Sequence, residues 1–239
     1  MAATDRAELR AFDNYASSHL STKPEHLHRS LDKATSACRS AGLPQWDVNA
    51  SQGKFFMLQC RMMRAGSVLE IGTLAGHGAI WYAAANPHIR VTTIEVNEEF
   101  AAVARINIAN AGLCNRVELI VSDARAVIPK LAADIQNGER TRPDVVIVDL
   151  QDTTRIWDFV DLSIGLCIPG ACIMAHCALR LAKLYATTQG EEDTRGRGSR
   201  DLVERKGSDN RLDAGLLMSV GENNYDVMLA VVIDGIQDG

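Results

Sequence analysis

The sequence predicts an α/β fold with a doubly wound, seven-stranded, mostly parallel sheet, an antiparallel C-terminal strand and added N-terminal helices. Two observations carry this prediction. Residues 67–71 form a short, β-branched run that is typical of a buried parallel strand, and a glycine-rich turn and a helix-forming run follow directly. The same alternation of apolar strand and longer helical segment then recurs to about residue 177, which is the pattern of an α/β sheet.

Each predicted element has its own signal in the chain. Helix-forming segments precede the first strand at 2–20, 24–41 and 51–64, the second ending before Gly42 and Pro44. The predicted strands are 67–71, 90–96, 117–121, 145–149, 171–175, 212–220 and 226–233. The helices between them are 79–85, 98–111, 124–135 and 159–167. The segment 187–210 is rich in charge and glycine, so we expect a mobile loop or lid there.

Length and composition narrow the class of protein. The 239 residues fit a single domain, with a helical cap over 1–66 and an α/β core over 67–239. A net charge of −5 argues against the nucleic-acid backbone as a partner. The chain has no signal-peptide pattern and no apolar run of roughly 18 residues, so we expect a cytoplasmic protein without a membrane partner. The six cysteines form no C-x-x-C pair and are expected to be buried thiols.

The turn after the first strand indicates the ligand class. Its glycines are Gly72, Gly76 and Gly78, spaced G-x-x-x-G-x-G rather than the G-x-G-x-x-G of dinucleotide sites. Glu70 lies on the strand two residues before the first glycine. A carboxylate there would repel a pyrophosphate and would suit a ligand that carries an ammonium group.

A second acidic residue indicates the remaining part of the ligand. Glu95 ends the second strand, where an acidic side chain can accept hydrogen bonds from both ribose hydroxyls. A nucleoside joined to an amino-acid group, without pyrophosphate, indicates S-adenosylmethionine (SAM). We therefore predict SAM as the cofactor.

Short motifs beyond the turn point to a family. They occur at 68–73, 91–95, 122–124, 146–149, 168–170 and 221–226. In this order they resemble the SAM-dependent class I O-methyltransferases of the catechol and caffeoyl-CoA type, O-methyltransferase family 3. The sequences at 51–55 and 138–140 resemble the fungal branch. The resemblance covers about residues 10–234 and implies a Rossmann-like class I methyltransferase fold and a homodimer.

The resemblance also implies positions for the cofactor. Glu70 would lie near the methionine amino group, Glu95 would bind the ribose, and Asp123 and Ala124 would lie along the adenine. Gly78 departs from the family, which usually has a serine there that bonds the cofactor carboxylate. The complete set of cofactor-binding residues implied in this way is Val48, Glu70, Gly72, Thr73, Gly76, Gly78, Glu95, Asp123, Ala124 and Asp149.

The catalytic positions depart further from the family. Its members use a divalent cation, usually Mg²⁺, held by an Asp ending the fourth strand and an Asp-Asn pair ending the fifth, with a lysine base three residues after the first Asp. Here Asp149 is present, but the pair reads His176-Cys177 and the lysine position reads Asp152. Hard oxygen ligands suit Mg²⁺, whereas Asp, His and Cys together suit Zn²⁺ or another transition metal.

Three hypotheses follow from this departure. In the first, which we favour, a small-molecule hydroxyl of a phenol or enol is methylated without the magnesium site, and His176 takes its proton with Asp149 beside it. In the second, Asp149, His176 and Cys177 or Asp152 hold a transition metal. In the third, the SAM-binding pocket catalyses a non-methylating cyclisation or rearrangement in secondary metabolism, or the protein is a pseudoenzyme.

Overall fold

The computed structural model describes residues 11–12, 15–16, 18–20, 24–44, 48, 50–150, 152–177, 194–218 and 226–233. The described residues between 11 and 20 are helical. Two further helices precede the sheet, α1 (Glu25–Ser40) and α2 (Ala50–Met62). Within the described ranges, no helix combines the length and the apolar character that a bilayer crossing needs.

The described strands form one seven-stranded sheet. They are β1 (Ser67–Ile71), β2 (Arg90–Glu95), β3 (Val117–Val121), β4 (Val145–Val148), β5 (Cys172–Cys177), β6 (Leu212–Met218) and β7 (Asp226–Val232). Their order is β3-β2-β1-β4-β5-β7-β6. The pairs from β3 to β5 are parallel, and β7 runs antiparallel to both of its neighbours. The predicted mostly parallel sheet with an antiparallel C-terminal strand is confirmed.

Helices cover both faces of this sheet. They are α3 (His77–Ala83), α4 (Glu98–Asn110), α5 (Ala124–Gln136), a 3₁₀ helix (Thr153–Arg155), α6 (Ile156–Ile164) and α7 (Thr194–Gly207). The buried side chains of β4 alternate between the two layers: Val145 and Ile147 pack with α2 and α3, and Val146 and Val148 pack with α5 and α6. This alternation is that of a strand buried on both faces.

Close packing of α2 against α3 brings the N-terminal helices to the sheet. A Cβ on Gly53 would lie 2.2 Å from Nε1 of Trp81, so only a glycine lets the two helices approach this closely. Trp81 and Phe56 are fully buried between them. As a result, the neighbouring Gln52 is held above the carboxyl ends of the strands.

Two predictions about elements need correction. The segment 187–210 was predicted to be a loop, but its residues 194–207 form α7, and residues 187–193 lie outside the described part. The helix forms because Leu202 is completely buried against the apolar layer below α6, while Arg205 pairs with Asp201 one turn earlier at 2.7 Å. The charged residues that suggested a loop belong to a solvated helix face.

The second correction concerns the strand ends around the site. The fifth strand was expected over residues 171–175 with His176-Cys177 at its end, and the observed β5 includes both residues because β7 pairs with it there, with His176 opposite Val227. The fourth strand ends at Val148, so Asp149 follows the strand instead of closing it. His176 is therefore held by the sheet, and Asp149 begins a loop.

Candidate active site

A cavity of about 510 Å³ opens at the carboxyl ends of β1, β2, β3 and β4. This edge of a doubly wound sheet, at the point where the strand order reverses, is where such folds bind ligands. The predicted residues that line it are Val48, Glu70, Gly72, Thr73, Gly78, Glu95, Asp123, Ala124, Asp149 and His176. The fold thus brings the predicted cofactor and catalytic residues into one cavity, apart from Gly76 and Cys177.

Gly72 is required by the path of the backbone. Its φ is +97°, and a Cβ there would lie 1.8 Å from the backbone oxygen of Asp149. Its amide donates to the Ile94 carbonyl at 2.9 Å, which extends the pairing of β1 with β2 into the turn. The turn therefore passes directly against the start of the loop after β4, and no other residue fits.

Gly76, predicted to bind the cofactor, does not line the cavity. It precedes α3 with a φ of +79°, and its amide donates to the Thr73 carbonyl at 2.9 Å. A Cβ there would meet the backbone of Ala104 at 3.3 Å. Its part in the site is to shape the turn, because a left-handed residue is needed between β1 and α3.

Glu95 holds the glycine turn from the second strand. Its Oε2 accepts hydrogen bonds from the amides of Thr73, at 3.1 Å, and Leu74, at 2.8 Å. Its Oε1 accepts from the amide of Asn97 at 2.9 Å. A carboxylate has about four acceptor positions, so one remains at Oε1 for a ligand hydroxyl. The sequence predicted the ribose role; the bonds that fix the turn are a further role which the sequence did not reveal.

Glu70 is a buried carboxyl group, with 2% of its surface exposed. The Thr93 hydroxyl donates to its Oε2 at 2.6 Å, and the Thr73 hydroxyl forms a hydrogen bond with the Thr93 hydroxyl at 2.5 Å. Burial raises the pKa of Glu70 to about 8, and the negative charges of Asp149 and Glu95 add to this effect, against the hydrogen bonds that lower it. A cationic ligand group beside Glu70 would restore its ionised form.

The structure explains why Gly78 replaces the family's serine. A Cβ at this position would lie 2.3 Å from Oε1 of Glu70 and 2.7 Å from the hydroxyl of Tyr82. The space of a serine side chain is thus taken by the Glu70 carboxyl group and by a phenol one helical turn further along α3. Glu70 and Tyr82 can occupy this space because residue 78 has no side chain.

His176 and Asp149 meet in the cavity wall. Nδ1 of His176 lies 3.0 Å from Oδ1 of Asp149, and its Nε2 lies 3.3 Å from Nε2 of Gln52. The Gln52 amide nitrogen can only donate, so these partners assign the ring hydrogen to Nδ1, which donates to Asp149. The His176 side chain is 5% exposed and that of Asp149 is 28% exposed, so the carboxylate presents the more open surface.

Phe56 packs beside this pair. Its ring makes edge-on contacts with His176, at a centroid distance of 6.2 Å, and with Tyr82, at 6.1 Å. One buried aromatic residue of α2 therefore touches both the catalytic end and the Glu70 end of the cavity. The sequence had placed Phe56 only on an apolar helix face.

Of the other predicted metal-ligating positions, Asp152 lines the same cavity, but its carboxylate is engaged by a local cap. Asp152 caps the 3₁₀ helix, where it accepts from the Thr154 amide at 3.0 Å and from its hydroxyl at 2.6 Å, and these bonds lower its pKa. The side chain of Cys177 lies outside the described residues. In the part of the chain that is described, no three His, Cys, Asp or Glu side chains are arranged so that they could hold a metal ion.

Arg125 also lines the cavity, and the sequence analysis did not predict it. Asp123 caps α5 by accepting from the Arg125 amide at 2.9 Å, and the Arg125 guanidinium also binds its carboxylate. These hydrogen bonds lower the pKa of Asp123 to about 2. Phe100 and Phe159 add apolar walls there. Arg125 could have been noticed from its position two residues after the capping Asp.

Comparisons with known proteins identify the family. The O-methyltransferase family model matches residues 18–223. O-methyltransferase imqG of Aspergillus flavus is 37% identical over 227 residues, covering 93% of this chain and 90% of the relative. A catechol O-methyltransferase of Niastella koreensis is 31% identical over 226 residues, covering 94% and 97%.

A solved structure shows the same fold with a ligand. The O-methyltransferase TomG of Streptomyces achromogenes, involved in tomaymycin synthesis and crystallised in complex with SAM, superimposes with a TM-score of 0.84. It is 30% identical, and the match covers 98% of this chain and 100% of TomG. Family match, relatives and fold agree, and the chain belongs to the SAM-dependent O-methyltransferase family.

Proposed function

We propose that this protein transfers the methyl group of SAM to a hydroxyl of a small phenol or enol, and that the Asp149–His176 pair takes the place of the family's magnesium site. The observation that carries the proposal is the 3.0 Å contact between Oδ1 of Asp149 and Nδ1 of His176 in the cavity wall. Both residues sit at the carboxyl ends of β4 and β5, beside the glycine turn.

The residues of the cavity fit SAM. Glu70 is a buried carboxyl group whose charged neighbours are acidic, so the cofactor's ammonium group supplies the missing counter-ion. Glu95 keeps an acceptor position for the ribose, and Gly72 lines the same cavity. The bound SAM complex of the relative TomG supports this assignment. The sulfonium supplies an activated methyl group, so the protein mainly has to align the acceptor with it.

The donor set does not fit Mg²⁺. This ion takes oxygen ligands in octahedral geometry, and the fifth strand offers an imidazole instead. That imidazole is engaged on both sides, by Asp149 through Nδ1 and by Gln52 through Nε2. The proposed proton transfer therefore involves no metal ion at these residues.

The pair can accept the proton of the acceptor hydroxyl. Asp149 is the more exposed partner, so an acceptor hydroxyl can donate to its free oxygen while Nδ1–H of His176 holds the other. Gln52 and Phe56 fix the ring plane, which keeps His176 aligned with Asp149.

This arrangement favours particular acceptors. A metal that gathers two neighbouring hydroxyls selects catechols, and a carboxylate–imidazole pair has no such requirement. A single acidic hydroxyl, as in a phenol or an enol, suffices. TomG acts in tomaymycin synthesis, which supports a role in secondary metabolism for this chain too. A cytoplasmic homodimer stays a prediction.

Calorimetry and an activity screen test the proposal. We expect micromolar binding of SAM and of S-adenosylhomocysteine, and methyl transfer to single-hydroxyl phenols or enols that persists after chelation and dialysis. Absence of cofactor binding would contradict the SAM assignment. Activity that chelation removes and that returns only with a divalent ion would overturn the role of the pair. Cofactor binding without methyl transfer to any phenol or enol would favour the repurposed or pseudoenzyme alternative.

A further inference from the structure

Tyr82 is a buried tyrosine behind Glu70 and Gly78 that the proposed function does not use. It lies on α3, one turn after Gly78, and is completely buried. Among the described residues, its hydroxyl makes no hydrogen bond, and the Glu70 carboxyl group is the nearby charge that acts on it most strongly. A buried phenol that faces a single carboxyl group suggests a specific role for that contact, because an unpaired buried hydroxyl is costly.

The space around Gly78 shows how the two side chains meet. A Cβ on residue 78 would lie 2.3 Å from Oε1 of Glu70 and 2.7 Å from the Tyr82 hydroxyl, so both groups border the same small space. The opposite oxygen of the carboxyl group, Oε2, already accepts from Thr93 at 2.6 Å. Thr93 on β2 thus binds one oxygen of Glu70, and the Tyr82 hydroxyl on α3 lies on the side of the other oxygen.

Tyr82 keeps its hydrogen in this setting. Burial, and then the neighbouring Glu70 charge, hold the pKa of Tyr82 well above its ordinary value. The phenol therefore keeps a hydrogen that it can donate to Glu70, and its proximity acts to lower the pKa of Glu70 against the effect of burial. A donor on each carboxylate oxygen stabilises the ionised form, which is the form that attracts an ammonium group.

We infer that Tyr82 is a positioning residue for the cofactor's amino group, acting through Glu70, and that Gly78 is the residue that makes room for it. This inference rests on the proposed SAM site and deepens it. In this chain the contact that the family makes with a serine at position 78 is exchanged for a second donor to Glu70. The anchoring of the amino-acid end of the cofactor thereby shifts to the ammonium group.

The Tyr82→Phe variant tests this inference through ligand binding alone. Calorimetry compares two probes, S-adenosylhomocysteine, which carries the ammonium group, and methylthioadenosine, which lacks the amino-acid end. Removing one charge-assisted hydrogen bond should weaken S-adenosylhomocysteine binding about tenfold. Methylthioadenosine binding should stay within about twofold. Tyr15→Phe, which removes an exposed tyrosine hydroxyl, is the matched control.

The outcomes separate this inference from the proposed function. If the unaltered protein binds neither probe, the SAM site itself is wrong. If it binds both and Tyr82→Phe leaves the ratio of the two affinities unchanged, the inference is overturned, whatever happens to thermal stability. A second variant, Gly78→Ala, adds a Cβ 2.3 Å from Oε1 of Glu70 but no hydroxyl that could bond the cofactor carboxylate. It should displace Glu70 or Tyr82 and weaken S-adenosylhomocysteine binding relative to methylthioadenosine binding, and an unchanged ratio in that variant would also contradict the inference.

Discussion

The two halves of the cavity are built in different ways. In the cofactor half, the backbone itself carries the site: Gly72 fits only without a side chain, and Glu95 is bonded to three backbone amides. In the acceptor half, side chains alone carry it. His176 pairs with Val227 through its backbone, and that pairing would hold any residue at this position.

This difference explains which half can change during evolution. A substitution at Gly72 or Glu95 disturbs the turn and the strands around it, so the cofactor half resists change. A substitution at His176 changes the chemistry at the strand end while β5 stays paired on both sides. The family's fold and cofactor turn can therefore persist beside a different set of acceptor-side groups.

The largest effect is expected from Gly72→Ala. The new methyl group would collide with the backbone oxygen of Asp149, 1.8 Å away, in a left-handed conformation that alanine disfavours. We expect a loss of stability of about 3 kcal/mol or more and no measurable cofactor binding. Thermal unfolding and calorimetry measure the two effects.

Gly112→Ala is the matched control for Gly72. Its φ is also positive, +70°, but nothing lies within 4 Å of the position of a Cβ. It should cost only the backbone strain, about 1 kcal/mol, and leave cofactor affinity unchanged. Equal effects of the two substitutions would contradict the claim that the backbone fixes the cofactor half.

His176→Ala should separate the two halves. Without the imidazole, Asp149 alone would receive the proton of the acceptor hydroxyl, so we expect kcat to fall about a hundredfold or more. Cofactor affinity should stay within about twofold, because the turn does not depend on the imidazole. His88→Ala, at an exposed histidine, should leave both quantities unchanged. Full activity of His176→Ala would show that the ring is only a structural residue of β5.

The pH dependence of stability should report on Glu70. Its folded-state pKa of about 8 lies above its ordinary value of 4.5, so the folded protein binds the additional proton between these values. The stabilisation from this group is therefore complete below about pH 4.5 and is lost as the pH rises through about 8, by up to a few kcal/mol. Urea unfolding of the cofactor-free protein at a series of pH values measures it.

Glu70→Gln should remove this slope, since an amide does not titrate. Glu118→Gln is the opposite control, because the Arg140 hydrogen bond lowers the pKa of Glu118. That carboxylate stabilises the fold above its unfolded-state pKa and loses the effect as the pH falls, so its removal should leave the slope between pH 5 and pH 8 intact. An unchanged slope in Glu70→Gln would show that the carboxyl group is ionised in the free protein.

The contrast between the cofactor half and the acceptor half also explains which residues of the site could be predicted from the sequence. Gly72, Glu70 and Glu95 were predictable because each lies at a fixed offset from a strongly apolar strand. The reason for Gly78 was not predictable, since it depends on how close Tyr82 and Glu70 come in space. The helix α7 was missed because its glycines and charges match a loop by composition, and only the burial of Leu202 shows that the segment packs. Asp149 and His176 were both predicted as catalytic residues, and the structure shows the 3.0 Å contact between their side chains.

The smallest effect is expected from Arg125→Ala at the adenine end. The Arg125 side chain is 51% exposed, so its ion pair with Asp123 contributes less than about 1 kcal/mol to stability. Without it, the pKa of Asp123 rises from about 2 towards its ordinary value, and the carboxylate stays ionised at neutral pH. Cofactor affinity should therefore change by less than about threefold. Arg29→Ala breaks a similarly exposed pair with Glu25, away from the cavity, and should leave affinity unchanged. A tenfold loss in Arg125→Ala would show that the Arg125 side chain, in addition to Glu70, Glu95 and the glycine turn, anchors the cofactor.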